Sequence, residues 1–244
     1  MRITVFGATG PTGRRVTAQA LDAGHEVTAV SRRADALAPR AGLTVANVDV
    51  ANADAVAAAV AGSDAVVSAL GVPPTRERVT VYSDGVRNIL AGMEQHGVER
   101  LVAVSSSVAD PNWRPTGEHF FNLVMDPLVN RKVARTAHED MRRMEAVLRA
   151  SRLDWTIVRP GGLFEHHEVT DYELGEDSVD ALYTARTDLA AAMLSQLRDG
   201  RFVRKAMGVG TRGVKMSVPK LIYRQAKAQR AEKAAAAQKA GVAG

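Results

Sequence analysis

Gly7-Ala8-Thr9-Gly10-Pro11-Thr12-Gly13 is the stretch on which the reading of this chain turns. It follows the short apolar run Ile3–Phe6 and opens a helical pattern over Thr12–Ala23, closed by Gly24. Three glycines at G-x-x-G-x-x-G spacing, set between a strand and a helix, let the backbone turn tightly and approach a pyrophosphate. The helix start adds oriented N–H groups and the positive end of a dipole. Thr9 and Thr12 contribute hydroxyl donors. Gly7, Thr9, Gly10, Thr12 and Gly13 are therefore the first candidates for binding a dinucleotide.

Working outward, β-rich runs alternate with longer Ala-rich helical stretches. Strands are predicted at Val27–Val30, Leu43–Val45, Ala65–Leu70, Leu101–Val104 and Trp155–Val158, and helices near Ala53–Val60, Val79–Gln95 and 131–150. Strands separated by helices of this length imply right-handed crossovers and a parallel sheet covered on both faces. The expected fold is α/β, a doubly wound parallel sheet of Rossmann type. It would occupy residues 1–210 with an insertion at 107–130, followed by a basic helical tail at 211–244.

The end of the second strand sharpens the cofactor. NAD sites place a carboxylate there, roughly 20 residues past the glycines, to hold the ribose 2′-OH. Here the strand runs into Ser31-Arg32-Arg33, and the nearest acid beyond is Asp35. Two guanidiniums suit a 2′-phosphate, with which Arg forms bidentate, charge-assisted bonds. Arg32 and Arg33 thus point to NADP(H), against the plainer alternative of two surface arginines.

Composition narrows the classes. The chain has 244 residues, 46% of them apolar, and no Cys, which excludes disulfides, thiolate metal sites and a Cys nucleophile. No apolar run approaches the ~20 residues that span a bilayer, and the N-terminus turns to Gly and Pro too early for a signal-peptide core. A cytoplasmic enzyme without a membrane span is the expectation. The net charge of +5 invites a nucleic-acid reading. However, residues 214–244 hold seven Lys/Arg against the single acid Glu232, so they carry +6 and the rest of the chain −1. The basicity belongs to the tail, and nucleic acid is not an expected partner.

Two segments break the α/β rhythm. Residues 107–130 gather aromatics that are scarce elsewhere, among them Trp113, His119, Phe120 and Phe121, and residues 165–180 carry seven acids and no Lys or Arg. Both follow strands at the edge where doubly wound sheets bind ligands. The aromatics suit either a wall for a flat ring or a small core under a loop. Glu165-His166-His167-Glu168 lacks metal-ligand spacing, so no metal is expected.

With these residues in view, the chain resembles the atypical short-chain dehydrogenases/reductases. It is most similar to the NAD(P)H-binding group that includes biliverdin reductase B (flavin reductase) and the NmrA-like proteins. The resemblance rests on Gly7–Gly13, Asn47-Val48-Asp49-Val50, Ala69-Leu70-Gly71, Ser105-Ser106-Ser107 and Leu153-Asp154-Trp155-Thr156-Ile157-Val158-Arg159-Pro160-Gly161. It covers roughly residues 1–205 and leaves the tail outside. It implies that Asp49 and Val50 flank the adenine and that Leu70 and Gly71 lie along the ribose and pyrophosphate. Ser106 would stand near the nicotinamide, Pro160 and Gly161 would cover its far edge, and Ser105 is a further cofactor-binding candidate. Asp49 serves equally well as a turn-forming residue.

The usual short-chain reductase uses a Tyr-x-x-x-Lys pair to protonate a carbonyl oxygen. Counting back from Glu145, the pair falls near Ala137 and Met141, which transfer no proton, and Leu128 stands four residues before Lys132. Flavins, quinones and linear tetrapyrroles accept hydride at a conjugated atom and need less help from a side-chain acid. Ser106 and His138 are the candidate catalytic residues, with Asp140 a further relay. The expected function is an NADPH-dependent reductase of such an acceptor, and the alternative is a non-catalytic NADP(H)-sensing regulator like the NmrA-like proteins. The basic tail would then meet an acidic protein surface or a second subunit.

Overall fold

A computed structural model describes residues 1–33, 37–73, 75, 77–110, 112–114, 116 and 134–214. Met1–Thr211 form one compact unit, separate from Arg212–Gly244. The tail beyond 214, together with Asp35, His119, Phe120, Phe121, Leu128 and Lys132, lies outside the described residues.

The elements run β1 (Arg2–Phe6), α1 (Pro11–Asp22), β2 (Glu26–Ser31), β3 (Leu43–Asn47), α2 (Ala53–Val60), β4 (Ala65–Ser68), α3 (Val81–His96) and β5 (Arg100–Val104). They continue with α4 (Arg135–Ala150), β6 (Asp154–Pro160), β7 (Gly162–Phe164), β8 (Tyr172–Glu176), β9 (Tyr183–Ala185), α5 (Arg186–Ser195) and β10 (Lys205–Thr211). Eight strands form one sheet in the order β3-β2-β1-β4-β5-β6-β10-β8. Every neighbour pair is parallel except the antiparallel β10–β8 edge. This is the doubly wound Rossmann fold, and the order reverses between β1 and β4, beside the glycine turn. Ligands in such sheets sit outside the strands' carboxyl ends at that reversal.

Alternation along the strands divides the core into two layers. Val66, Leu101 and Ala103 face Val56, Val60, Ile89, Met93, Met144 and Leu148 from α2, α3 and α4. Ala65, Val67 and Val102 face Val16, Ala20, Leu189 and Met193 from α1 and α5. Both layers are dry: Ile89, Met144, Leu148, Leu189 and Met193 are all essentially unexposed.

The elements after β6 extend what the sequence pattern predicts. β10 reads Lys-Ala-Met-Gly-Val-Gly-Thr, and glycines in a run weaken a strand signal. They belong there because the chain crosses close above them. A Cβ on Gly208 would meet the backbone of Ser178 and Val179 at 2.5 Å, and one on Gly210 the Cβ of Ala181 at 2.3 Å. β7 and β9 pair as a separate two-stranded parallel sheet.

Candidate functional site

The glycine turn is built by exclusion of side chains. Gly7 has φ +73, and a Cβ there would lie 2.5 Å from the carbonyl oxygen of Ala69; on Gly13 it would lie 2.1 Å from the carbonyl oxygen of Gly7. These two glycines seat β1's end against β4 and against the first turn of α1. Gly10 precedes Pro11, the first helical residue, and no acid stands in the first turn of α1. Beyond β4, Gly71 is exposed, and among the described residues nothing lies within 4 Å of where its Cβ would be. Crowded glycines beneath, an uncapped helix start and open backbone above fit the pyrophosphate of a dinucleotide.

Thr9 and Thr12 are engaged within the protein. The Thr9 and Ser31 hydroxyls lie 2.7 Å apart, and Ser31 Oγ also accepts the Arg33 N–H at 3.1 Å. This ties the glycine turn to the end of β2. Thr12 Oγ1 accepts from Arg186 at 3.0 Å. Arg32 and Arg33 are exposed, and neither forms an ion pair among the described residues. On the next turn, Asp49 Oδ1 accepts the Ala51 N–H at 3.0 Å, as a turn-forming residue does. Val50 and Leu70 close over Gly85, where a Cβ would stand 2.9 Å from either side chain.

Further along the edge, the three serines after β5 point different ways. Ser105 is buried, and its hydroxyl donates to Glu145 at 2.7 Å. Ser107 is buried too and donates to the carbonyl of Arg159 at 3.1 Å. Only Ser106 is half-exposed, with its Oγ accepting the Val108 N–H at 3.3 Å. The Ser105 N–H is also taken, by the Val158 carbonyl at 2.7 Å, so neither it nor the hydroxyl points to a ligand.

Glu145 and Arg159, landmarks in the sequence reading, form a pairing that it does not foresee. Arg159 meets Glu145 through two bonds, Nε to Oε1 at 3.0 Å and Nη2 to Oε2 at 2.6 Å, and reaches Asp110 through Nη1 at 3.0 Å. Arg159 is 7% and Glu145 5% exposed, so each charge needs the other. Burial pushes the Arg159 guanidinium down, but Glu145, Asp110 and Asp177 outweigh it and hold it above its ordinary value. A lone charge inside the apolar run Trp155–Pro160 is the sequence signal that points to this network.

On α4, Ala137 is buried and Met141 packs against the core. Asp140 has no exposed surface. It accepts the N–H groups of Tyr82 and Ser83 at 2.9 and 3.3 Å and the Ser83 hydroxyl at 2.5 Å. That carboxylate caps α3 from a neighbouring helix, which corrects the proton-relay expectation. His138 is half-buried on the same helix. Pro160 ends β6 in the interior, and Gly161 donates its N–H to Thr184 Oγ1 at 3.0 Å. A Cβ on Gly161 would stand 2.5 Å from the Leu182 carbonyl oxygen, so this glycine serves the approach of β9. Trp113 is buried, with its indole donating to the Val179 carbonyl at 3.3 Å. Among the described residues no three His, Asp or Glu side chains gather to hold a metal, and no helix is long and apolar enough to cross a membrane.

Comparison with known proteins places this geometry. A family model described as NAD(P)H-binding matches residues 7–200. An uncharacterized protein of Mycobacterium tuberculosis is 37% identical over 107 residues, which are 43% of this chain and 12% of that protein. The match thus spans a small part of that much longer relative. A short-chain dehydrogenase/reductase of Veillonella parvula, solved in complex with NADP, superposes with a TM-score of 0.73 at 21% identity, covering 87% of this chain and 95% of that one. ChuY, an anaerobillin reductase of Escherichia coli O157:H7, gives 0.70 at 22% identity, covering 89% and 100%. At these identities the two structures share the fold.

Proposed function

Because this chain belongs to the NAD(P)H-binding family, we propose that it is an NADPH-dependent reductase that passes a hydride to a conjugated acceptor such as a flavin, a quinone or a linear tetrapyrrole. The carrying observation is on α4. Near where the sequence count puts a Tyr-Lys pair, Ala137 is buried and Met141 packs against the core, and Asp140 is engaged in capping α3. A carbonyl acceptor needs a proton donor as the alkoxide develops. A conjugated acceptor spreads the negative charge over its ring system, and water can protonate it afterwards. ChuY, a reductase on the same fold, is consistent with such an acceptor.

NADPH, when bound, supplies the hydride. The chain's own residues bind and orient. Gly7, Gly10, Gly13 and Gly71 would give backbone along the pyrophosphate, and Arg32 and Arg33 would neutralise the 2′-phosphate. Val50 and Leu70 would support the adenine face, with Asp49 beside it. Ser106 would donate a hydrogen bond to the charge that develops on the acceptor. Ser105, Pro160 and Gly161 would line the nicotinamide end through backbone and ring atoms. His138 is the second catalytic candidate, as a proton source from α4. Holding donor and acceptor at hydride-transfer distance is a large effect without any acid.

The test is NADPH consumption at 340 nm against FMN, riboflavin, menadione and a dichlorophenol dye, with NADPH binding titrated alongside. Turnover well above the blank with at least one acceptor is the expected result. Tight NADPH binding with no turnover on any acceptor would replace the reductase by the redox-sensing regulator.

A further inference from the structure

Three cations converge on the start of α1. Arg14 donates from Nε to the Thr9 carbonyl at 3.0 Å. Arg15 faces Glu165 at 3.5 Å, and Arg186 lies 2.8 Å from the other oxygen of the same carboxylate. From its far side, Arg186 Nη1 reaches Thr12 Oγ1, in the first turn of α1, at 3.0 Å. No acid stands in that turn. Arg186 is itself the first residue of α5, where a cation opposes the helix dipole. Helix stability gives no reason for an arginine at that point.

Its position is nevertheless fixed firmly. Gln19 on α1 donates to the Thr187 carbonyl at 3.0 Å. Asp188, with no exposed surface, accepts from the Thr170 N–H and hydroxyl, both at 2.7 Å, and from the Thr211 hydroxyl at 2.5 Å. Glu165, by contrast, is 57% exposed, whereas the Arg186 side chain is 21% exposed. A well-held, largely covered guanidinium thus shares a surface carboxylate with Arg15, directly beside the residues that receive a pyrophosphate.

We propose that Arg186 is a ligand for the cofactor's pyrophosphate, and that Glu165 occupies its guanidinium until the phosphate displaces it. This rests on the dinucleotide reading of the glycine turn and adds a binding residue from α5, some 170 positions away in sequence. A phosphate offers the planar fork a stronger partner than an exposed carboxylate held partly in water. The cationic groups then differ in what they recognise. Arg32 and Arg33 distinguish NADPH from NADH, whereas Arg186 serves both cofactors alike.

The experiment measures dissociation constants of the full chain for NADPH, NADH and adenosine 2′-monophosphate, which has no pyrophosphate. The proteins are the wild type, Arg186→Gln, Arg186→Lys and Glu165→Gln, each with its unfolding midpoint recorded. Arg186→Gln should weaken both dinucleotides by about tenfold or more and leave the monophosphate unchanged. Arg186→Lys, which keeps charge but loses the fork, should fall between. Glu165→Gln should tighten both dinucleotides by about threefold, since a competitor is gone. Dinucleotide affinity unchanged in both Arg186 variants overturns the proposal, as does an equal loss across all three ligands. Weaker dinucleotide binding in Glu165→Gln removes the competitor role. Should Arg186→Gln not fold, Arg186→Lys and Glu165→Gln decide the matter. A wild type that binds no dinucleotide at all refutes the underlying site instead.

Discussion

At the carboxyl ends of β1 and β2 the chain presents backbone. Gly7 and Gly13 are stripped of side chains by neighbours closer than 3 Å, and Arg32 and Arg33 stand exposed beside them. At the ends of β5 and β6, along the same edge, the chain instead buries a charged network of Glu145 and Arg159 under Ser105 and Ser107. Arg32 and Arg33 keep their charge in water, as suits a partner that carries charge of its own. The side proposed for the acceptor pairs Arg159 with Glu145 and Asp110 internally and has a half-exposed hydroxyl at Ser106. That contrast suits a cofactor bearing phosphates next to an acceptor that is largely apolar and conjugated.

The largest test of the contrast is Glu145→Ala. It leaves Arg159 buried with Asp110 as its remaining ion-pair partner and removes the acceptor of the Ser105 hydroxyl. Breaking a buried pair from one side costs about 3–5 kcal/mol, to be read from urea unfolding. A loss below about 1 kcal/mol would mean that the acceptor side is no more internally bound than a surface pair. The nucleotide side should respond oppositely. Replacing Arg32 and Arg33 together by Ala should weaken NADPH binding by about 10- to 100-fold. The unfolding midpoint and the affinity for NADH should hardly move, because neither arginine is paired among the described residues. Equal loss for the two cofactors would dissolve the assignment to the 2′-phosphate.

How much of the molecule is legible in its sequence follows the same division. The glycine turn, the strand–helix alternation and the Arg pair are local signals, readable because backbone close approach and helix starts depend on neighbours in sequence. Arg159 stands out in sequence as a lone charge in an apolar run, but its partner Glu145 does not, nor does Arg186, which acquires meaning only across the fold, from a helix that meets α1 through tertiary packing. Asp140 illustrates the converse. The sequence offers it as a proton relay, yet the packing of α4 on α3 turns it inward onto the N–H groups of Tyr82 and Ser83. β10 escapes a pattern reading because its glycines, required by the chain crossing at Ser178–Val179, imitate a turn.

Asp140 gives a smaller test. Asp140→Asn keeps an acceptor for the α3 N-terminus but loses the charge that also draws Arg143, at 3.1 Å. It should cost about 1 kcal/mol of stability and leave turnover where it was, measured with whichever acceptor the wild type reduces. A collapse of turnover in a protein of normal stability would return Asp140 to the chemistry and blur the line between the two sides.

Ser106→Ala should have the smallest effect. The Ser106 oxygen accepts the Val108 N–H, so its own proton remains to donate toward the acceptor. A hydroxyl serving a concentrated oxyanion is worth a hundredfold or more, on the order of 3 kcal/mol. One serving charge already spread through a conjugated ring should be worth only about threefold in kcat, or about 0.6 kcal/mol. NADPH affinity should stay unchanged. The size of this one number therefore distinguishes acceptor classes. A hundredfold drop would point to a localised alkoxide and a carbonyl substrate. A threefold drop fits an acceptor that carries its own electron sink and needs no side-chain acid at this edge.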